Sequence, residues 1–146
     1  MKFSRLLPVL FVVSLASCTT VEVSPLDPDL EFLHVCIQKN PRVQVEDFIS
    51  VLEAGFARHG VTTEVFSGKK PAHCEFILTY TALRSWDVST YLSHAELRIT
   101  KNKRQVASAT YHLEGKGGLS LTKFAGTKAK MDPVIDQLFE QPATAP

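Results

Sequence analysis

The N-terminal segment constrains the fold most, because it removes residues from the part of the chain that can fold. Lys2 and Arg5 are followed by an apolar run of ten residues, from Leu6 to Leu15. A helix that spans a bilayer needs roughly 20 apolar residues. A short positive segment followed by a shorter apolar core is typical of a secretory signal peptide. We therefore predict that residues 1–17 are cleaved and take no part in the fold.

The end of this segment indicates lipidation. Leu15-Ala16-Ser17-Cys18 matches a lipobox, in which the cysteine receives a diacylglyceryl group and becomes the mature N-terminus. A plain signal peptide that happens to contain a cysteine is the alternative. Two or three acyl chains would anchor the protein stably, whereas one chain binds only marginally. An aspartate after the cysteine commonly retains Gram-negative lipoproteins at the inner membrane, so Thr19 favours the periplasmic face of the outer membrane.

Length and charge indicate one domain of nearly neutral charge. The chain has 16 basic and 15 acidic residues, and loss of Lys2 and Arg5 would leave 14 basic residues against the same 15 acidic ones. This balance argues against a nucleic-acid-binding protein. With prolines at positions 25 and 28, residues 18–30 are predicted to be the lipidated N-terminus and an extended tether. Residues 31–141 would form the domain and residues 142–146 a flexible tail.

Hydrophobic periodicity predicts an α+β fold. Apolar residues recur at helical spacing from Val45 to His59, and Gly60 suits the position after a helix end. A second helix is predicted around Met131 to Phe139, with Pro133 at its start or at a kink. Period-2 alternation or β-rich composition predicts strands at residues 33–38, 61–66, 75–82, 91–100 and 106–113. The order β-α-β-β-β-β-α predicts a mainly antiparallel sheet of about five strands, with both helices on one face.

The two remaining cysteines, Cys36 and Cys74, are predicted to form a disulfide, because their number is even and the compartment is oxidising. His34 and His73 lie beside them in the sequence, so a Cys₂His₂ metal site is an alternative, as are free thiols. The H-x-C and H-C spacings differ from those of common structural metal sites. The disulfide is therefore favoured, and no metal or other cofactor is predicted.

No catalytic motif is recognisable in the sequence. Serines and histidines are present, but no G-x-S-x-G or comparable signature accompanies them. The glycine-rich run at residues 115–118 matches neither a P-loop nor a dinucleotide-binding motif. We therefore predict that the protein is not an enzyme.

Two features suggest a binding surface. Trp86, between Arg84 and Asp87, could pack against the fold or stack on a ligand such as a sugar. Eight basic residues against one acid occupy residues 98–130, and we hypothesise that the hairpin turn at residues 101–104 and the glycine-rich run at residues 115–118 present a basic face to an anionic lipid or an acidic envelope protein. Solvated lysines without a partner are the alternative. The predicted binding surface comprises Trp86, Lys101, Lys103, Arg104 and Lys116.

Residues 80–87 (YTALRSWD) and 111–124 (YHLEGKGGLSLTKF) resemble a family of short Gram-negative lipoproteins to which no activity is assigned. The resemblance covers most of the mature chain and implies a lipobox and a small α+β domain. It supplies no catalytic residues. The predicted function is a non-enzymatic binding or structural module anchored in the envelope. An envelope hydrolase or a chaperone-like assembly factor is the alternative.

Overall fold

The computed structural model describes residues 19–117 and 121–141, which form an α+β domain as predicted. Two 3₁₀ turns, Glu114–Gly117 and Leu121–Phe124, precede the last helix. Within the described ranges, no helix is both long and apolar enough to span a bilayer. The elements are β1 Thr19–Ser24, β2 His34–Gln38, α1 Phe48–Arg58, β3 Thr62–Phe66, β4 Phe76–Asp87, β5 Ser89–Lys101, β6 Arg104–Leu113 and α2 Thr127–Leu138.

The described strands form one six-stranded mixed sheet in the order β1-β6-β5-β4-β2-β3. The pairs β1–β6, β6–β5 and β5–β4 are antiparallel. β2 pairs in parallel with both β3 and β4. A parallel connection needs a crossover, and α1 provides it between β2 and β3. The predicted class is confirmed, but the sheet has one more strand than predicted and a parallel side.

The additional strand is β1, which lies where a tether was predicted. Thr19 pairs with Leu113 and Ser24 with Ser108, so the strand forms one edge of the sheet. Val21 packs against the core, and Leu26 just beyond the strand is buried. The tether prediction is therefore wrong for these residues. The weak alternation of apolar and polar residues around Val21 was the sequence signal for a strand. The prolines that follow end this strand but do not prevent it from forming.

Both helices pack on one face of the sheet, as predicted. The other face is mainly polar and carries a small second cluster around Cys36, Phe66 and Cys74. One buried face and one solvated face are usual for sheets with antiparallel strands. Fully buried core side chains come from both layers: Phe48, Leu52 and Phe56 of α1, Met131, Ile135 and Leu138 of α2, and Val35, Ile37, Leu78, Leu97 and Ile99 of the sheet.

The helix starts differ from the predicted ones. α1 begins at Phe48 with Asp47 as its N-cap, three residues after Val45, where the helical spacing begins. α2 begins at Thr127, six residues before Pro133, which lies inside the helix. Tertiary contacts hold this early part of α2, because the Lys130 ammonium donates to backbone carbonyls of neighbouring segments.

Candidate functional site

The end of the sheet at which β1 begins, called the Thr19 end below, also carries the β4–β5 hairpin. β1 starts there opposite the last residue of β6, Leu113. β5 pairs with β6 from His94 onward, so its first residues extend past the end of β6. This overhang, from Ser89 to Ser93, is five residues long, and its four steps along the strand span ~13 Å. The hairpin therefore projects beyond the level of Thr19.

Exposed apolar side chains are concentrated at this end. Trp86 is 73% exposed and Val88 is 87% exposed at the hairpin turn. Leu121, in the second 3₁₀ turn, is 85% exposed. Among the described residues, five of the seven exposed large hydrophobic side chains lie here. We call them the apolar tip: Leu83, Trp86, Val88, Leu121 and Phe124.

Specific contacts hold the two halves of the apolar tip together. The Lys123 ammonium donates to Asp87 Oδ2 at 2.5 Å, which joins the 3₁₀ turn to the hairpin. The Phe124 ring meets the Tyr91 ring edge-on, with centroids 5.8 Å apart. Lys130 donates to the carbonyl oxygens of Leu92 at 2.9 Å and Lys123 at 2.5 Å. Burial lowers the pKa of Lys130 to about 8. These contacts attach both halves of the tip to the folded domain.

Val88 has an unusual backbone conformation at the turn of the hairpin. Its φ is +58°, a region that β-branched residues rarely adopt and that glycine or asparagine occupies with less strain. Such strain costs about 1–3 kcal/mol and often accompanies functional surfaces. The backbone conformation of the turn therefore does not explain why a valine occupies this position.

The predicted binding surface does not form a single surface. Lys101, Lys103 and Arg104 lie at the opposite end of the sheet from the apolar tip. Lys101 pairs with Phe76, and Trp86 is ten residues further along β4, a separation of ~33 Å. Lys101 forms an ion pair with Glu75 at 2.5 Å, while Lys103 and Arg104 are exposed. The side chain of Lys116 lies outside the described residues.

The hairpin turn at residues 101–104 and the start of the glycine-rich run lie at opposite ends of the sheet, and the lysines between residues 123 and 130 do not connect them. Lys123 is buried against Asp87, and Lys128 forms an ion pair with Asp132 in the next turn of α2. Lys130 is buried beneath the 3₁₀ turn. These lysines serve intramolecular contacts, which charge counting along the sequence could not reveal. The prediction of one basic face is therefore wrong.

The Cys36–Cys74 disulfide is present, with Cα atoms 5.8 Å apart. β2 and β4 are neighbours, and Cys36 pairs with Ile77, which brings the segment before β4 against β2. Both cysteines are buried. The predicted disulfide is confirmed.

The two neighbouring histidines meet beside this disulfide, together with Glu64 of β3. His73 Nε2 lies 2.7 Å from Glu64 Oε2, and His34 Nε2 lies 4.0 Å from the same oxygen. The four potential ligand atoms of His34, Cys36, Glu64 and His73 lie within 4.8 Å of one another. Sequence reasoning identified the histidines and cysteines but missed Glu64, because only the parallel register places it opposite Cys36.

An open cavity of about 550 Å³ lies on the polar face of the sheet, close to the disulfide. Phe66 and Ile77 contribute apolar surface to it, and Glu75 and Lys103 contribute charge. Lys70, which also borders it, donates to the Cys74 carbonyl oxygen at 2.9 Å. The described part of the glycine-rich run does not border this cavity, because Gly115 follows β6 at the Thr19 end; Gly118 lies outside the described residues.

Comparison with known proteins gives a similarity of fold. No family model and no curated protein matches this chain. The PelC dodecamer from Paraburkholderia phytofirmans is similar in structure, with a TM-score of 0.52 and 14% identity over 84% of this chain and 99% of that one. A single-substitution variant of the same dodecamer gives a TM-score of 0.53 and 13% identity over the same shares of the two chains. At this identity the chain shares the fold of PelC.

Proposed function

We propose that this protein is an envelope lipoprotein, anchored through Cys18 at the periplasmic face of the outer membrane, that acts as a non-enzymatic binding or structural module. Its apolar tip would rest in the same membrane as the anchor. The position of the apolar tip at the Thr19 end of the sheet carries this proposal. The lipobox before Thr19 supports it independently.

The geometry favours a membrane as the surface that the apolar tip contacts. Cys18 is joined to Thr19 by one peptide bond, so acyl chains on Cys18 would enter the bilayer next to the last residue of β6. The hairpin projects ~13 Å past that level, which is enough to bring its turn among the lipid headgroups. Tryptophan is enriched at membrane interfaces because its ring is apolar and its N–H is polar. The lipid and the tip would therefore hold the domain in one orientation.

Lipidation is tested by growing cells with a clickable palmitate analogue and comparing the wild type with Cys18→Ala. We expect label in the wild-type protein and none in the variant. Equal labelling of the two proteins, or labelling of neither, would show that Cys18 is not the anchor.

The orientation is tested with Trp86, which is the only tryptophan of the chain. The mature protein in vesicles should show blue-shifted tryptophan emission that is quenched by brominated lipids and protected from iodide. The matched control is the double variant Trp86→Phe/Leu33→Trp, because Leu33 is 61% exposed and precedes β2 at the opposite end of the sheet. Its emission should be quenched by iodide and not by the lipids. The same behaviour in both proteins would contradict the proposed orientation.

Self-association is the first interaction to measure, because the structurally similar PelC is a dodecamer. We propose that this chain also assembles into a homo-oligomer, so that several tips rest on one membrane patch. Mass photometry or native mass spectrometry of the detergent-solubilised protein measures the number of copies. A protein that stays monomeric at all concentrations would contradict the proposed homo-oligomer, and the similarity to PelC would then extend only to the fold of the single chain.

A further inference from the structure

We infer that His34, Glu64 and His73 form a binding site for a zinc-type divalent metal ion beside the Cys36–Cys74 disulfide. The three side chains come from β2, from β3 and from the loop before β4. Two imidazoles and one carboxylate with a water as fourth ligand are a known ligand set for zinc. The site is independent of the membrane anchor.

The hydrogen bonds of His34 leave one ring nitrogen ready to bind a metal. Thr62 Oγ1 donates to the Leu33 carbonyl oxygen at 3.1 Å. Its hydroxyl proton is thereby used, so the contact between this oxygen and His34 Nδ1 at 2.8 Å has the ring as donor. In the neutral ring the lone pair then lies on Nε2, which is 3.6 Å from Cys36 Sγ and 4.0 Å from Glu64 Oε2. Metal-binding histidines are typically oriented by such a hydrogen bond from the other ring nitrogen.

The other two ligands are close to the spacing that a metal requires. Ligand atoms at ~2.05 Å from a tetrahedral zinc ion are roughly 3.3 Å apart. The separations of 2.7 Å and 4.0 Å between Glu64 Oε2 and the two Nε2 atoms lie on either side of this value. Small rotations of the exposed His73 side chain would equalise them. The metal would take the place of the proton that His73 now shares with Glu64.

The disulfide positions this site and supplies no ligand to it. Metal ions bind the thiolate form of cysteine, and both sulfurs are oxidised here. The bond instead links β2, two residues after His34, to the residue that follows His73. An adjoining cavity of about 380 Å³, lined by His34 and His73 among others, gives an ion access from solvent. The disulfide and the metal site, which sequence reasoning treats as alternatives, are compatible.

Isothermal titration of the metal-free full chain in detergent with Zn²⁺, in a non-chelating buffer and without reductant, tests the inference. We expect one ion per chain, and a melting temperature that rises with zinc concentration because binding favours the folded state. Binding should weaken in acid, because the histidines must be unprotonated to bind the metal. Binding of Co²⁺ should give a spectrum without thiolate charge-transfer bands.

Single variants identify the ligands. His34→Gln, Glu64→Gln and His73→Gln should each weaken zinc binding at least tenfold. Thr62→Val, which removes the hydrogen bond to His34, should weaken it ~10–100-fold. His73 is exposed, so its variant should fold even if the others are destabilised. His112→Gln is the matched control, because this histidine contacts His94 on a different part of the sheet, and it should bind zinc like the wild type.

Absence of zinc binding by the wild-type protein would overturn the inference. It would also be overturned if His73→Gln bound as tightly as the wild type, or if His112→Gln lost binding instead.

Discussion

Lys130 lies in the interior with its ammonium group bonded to two backbone carbonyls. Its pKa falls to about 8 because burial disfavours the charged form. In the unfolded chain the lysine would keep its proton up to about pH 10.5. Between these values the unfolded state binds more protons than the folded state, so the stability contributed at this position increases as the pH rises.

The difference between the pKa of Lys130 in the folded and unfolded states predicts that the unfolding free energy depends on pH, which a neutral side chain at this position would not cause. From pH 7.5 to 9.5 the wild type should gain about 1 kcal/mol of unfolding free energy relative to Lys130→Met, after allowance for solvent screening. Urea unfolding at several pH values measures the difference. The interval stops there because burial raises the pKa of Tyr111 to about 12, and ionisation of the unfolded tyrosine would lower stability above pH 10. Parallel curves for the two proteins would contradict the prediction.

At the residue scale, the sequence pattern pointed to His34, Cys36, His73 and Cys74, because His73 adjoins Cys74 and His34 lies two residues before Cys36. It did not reveal Glu64, which is distant along the chain and joins the site only through the register of β2 and β3. The number of basic residues is evident from the sequence, but their ion pairs and burial depend on tertiary contacts. Composition therefore predicted a charged face that the fold does not form.

At the scale of elements, the contact between the two helices depends on the absence of a side chain at Gly55. A Cβ atom at this position would lie 2.5 Å from Ile135 Cδ1 and 3.2 Å from Ile135 Cγ2. Ile135 is fully buried, so it has little room to move. The close approach of α1 to α2 is therefore specified by one glycine.

We expect Gly55→Ala to destabilise the fold by about 1 kcal/mol. Alanine favours the helix by about 1 kcal/mol, and overpacking of a core typically costs 1–3 kcal/mol. Addition of Ile135→Val, which removes the Cδ1 atom, should recover part of the loss. At the exposed neighbour Ala54 the opposite change, Ala54→Gly, should cost about 1 kcal/mol through helix propensity alone. A Gly55→Ala protein more stable than the wild type would contradict this prediction, because it would show that α1 and α2 can accommodate the added methyl group without loss of packing.

Strongly periodic elements could be predicted and weakly periodic ones could not. The order from β2 to α2 follows from alternation and helical spacing. β1 is short, and prolines follow it, so its local signal is weak. Its formation depends on pairing with β6, in which the partner of Thr19 is Leu113, ninety-four residues further along the chain. The start of α2 was misplaced because Pro133 gives a strong local signal, while Lys130 contacts distant segments.

At the scale of the whole molecule, the disulfide is expected to be a large part of the stability. It joins residues separated by 38 positions, for which loop entropy gives about 4 kcal/mol. Reduction, or the double variant Cys36→Ser/Cys74→Ser, should lower the unfolding free energy by roughly this amount in urea titrations.

Alkylation under denaturing conditions is the control for this prediction. Cys36 and Cys74 should take up no alkylating reagent before reduction and one each afterwards. Two adducts on these residues in the unreduced sample would contradict the disulfide.

The position of β1 also has a consequence for the order of events during maturation. If Cys18 is modified as proposed, the processing enzymes must act on a stretch of chain that immediately precedes a strand of the sheet. That strand cannot pair before β6 has been synthesised and exported, far downstream. Because β1 is at the edge, the other five strands can assemble first. Docking of β1 would then be the last folding step, and the same step would draw the finished domain onto the bilayer.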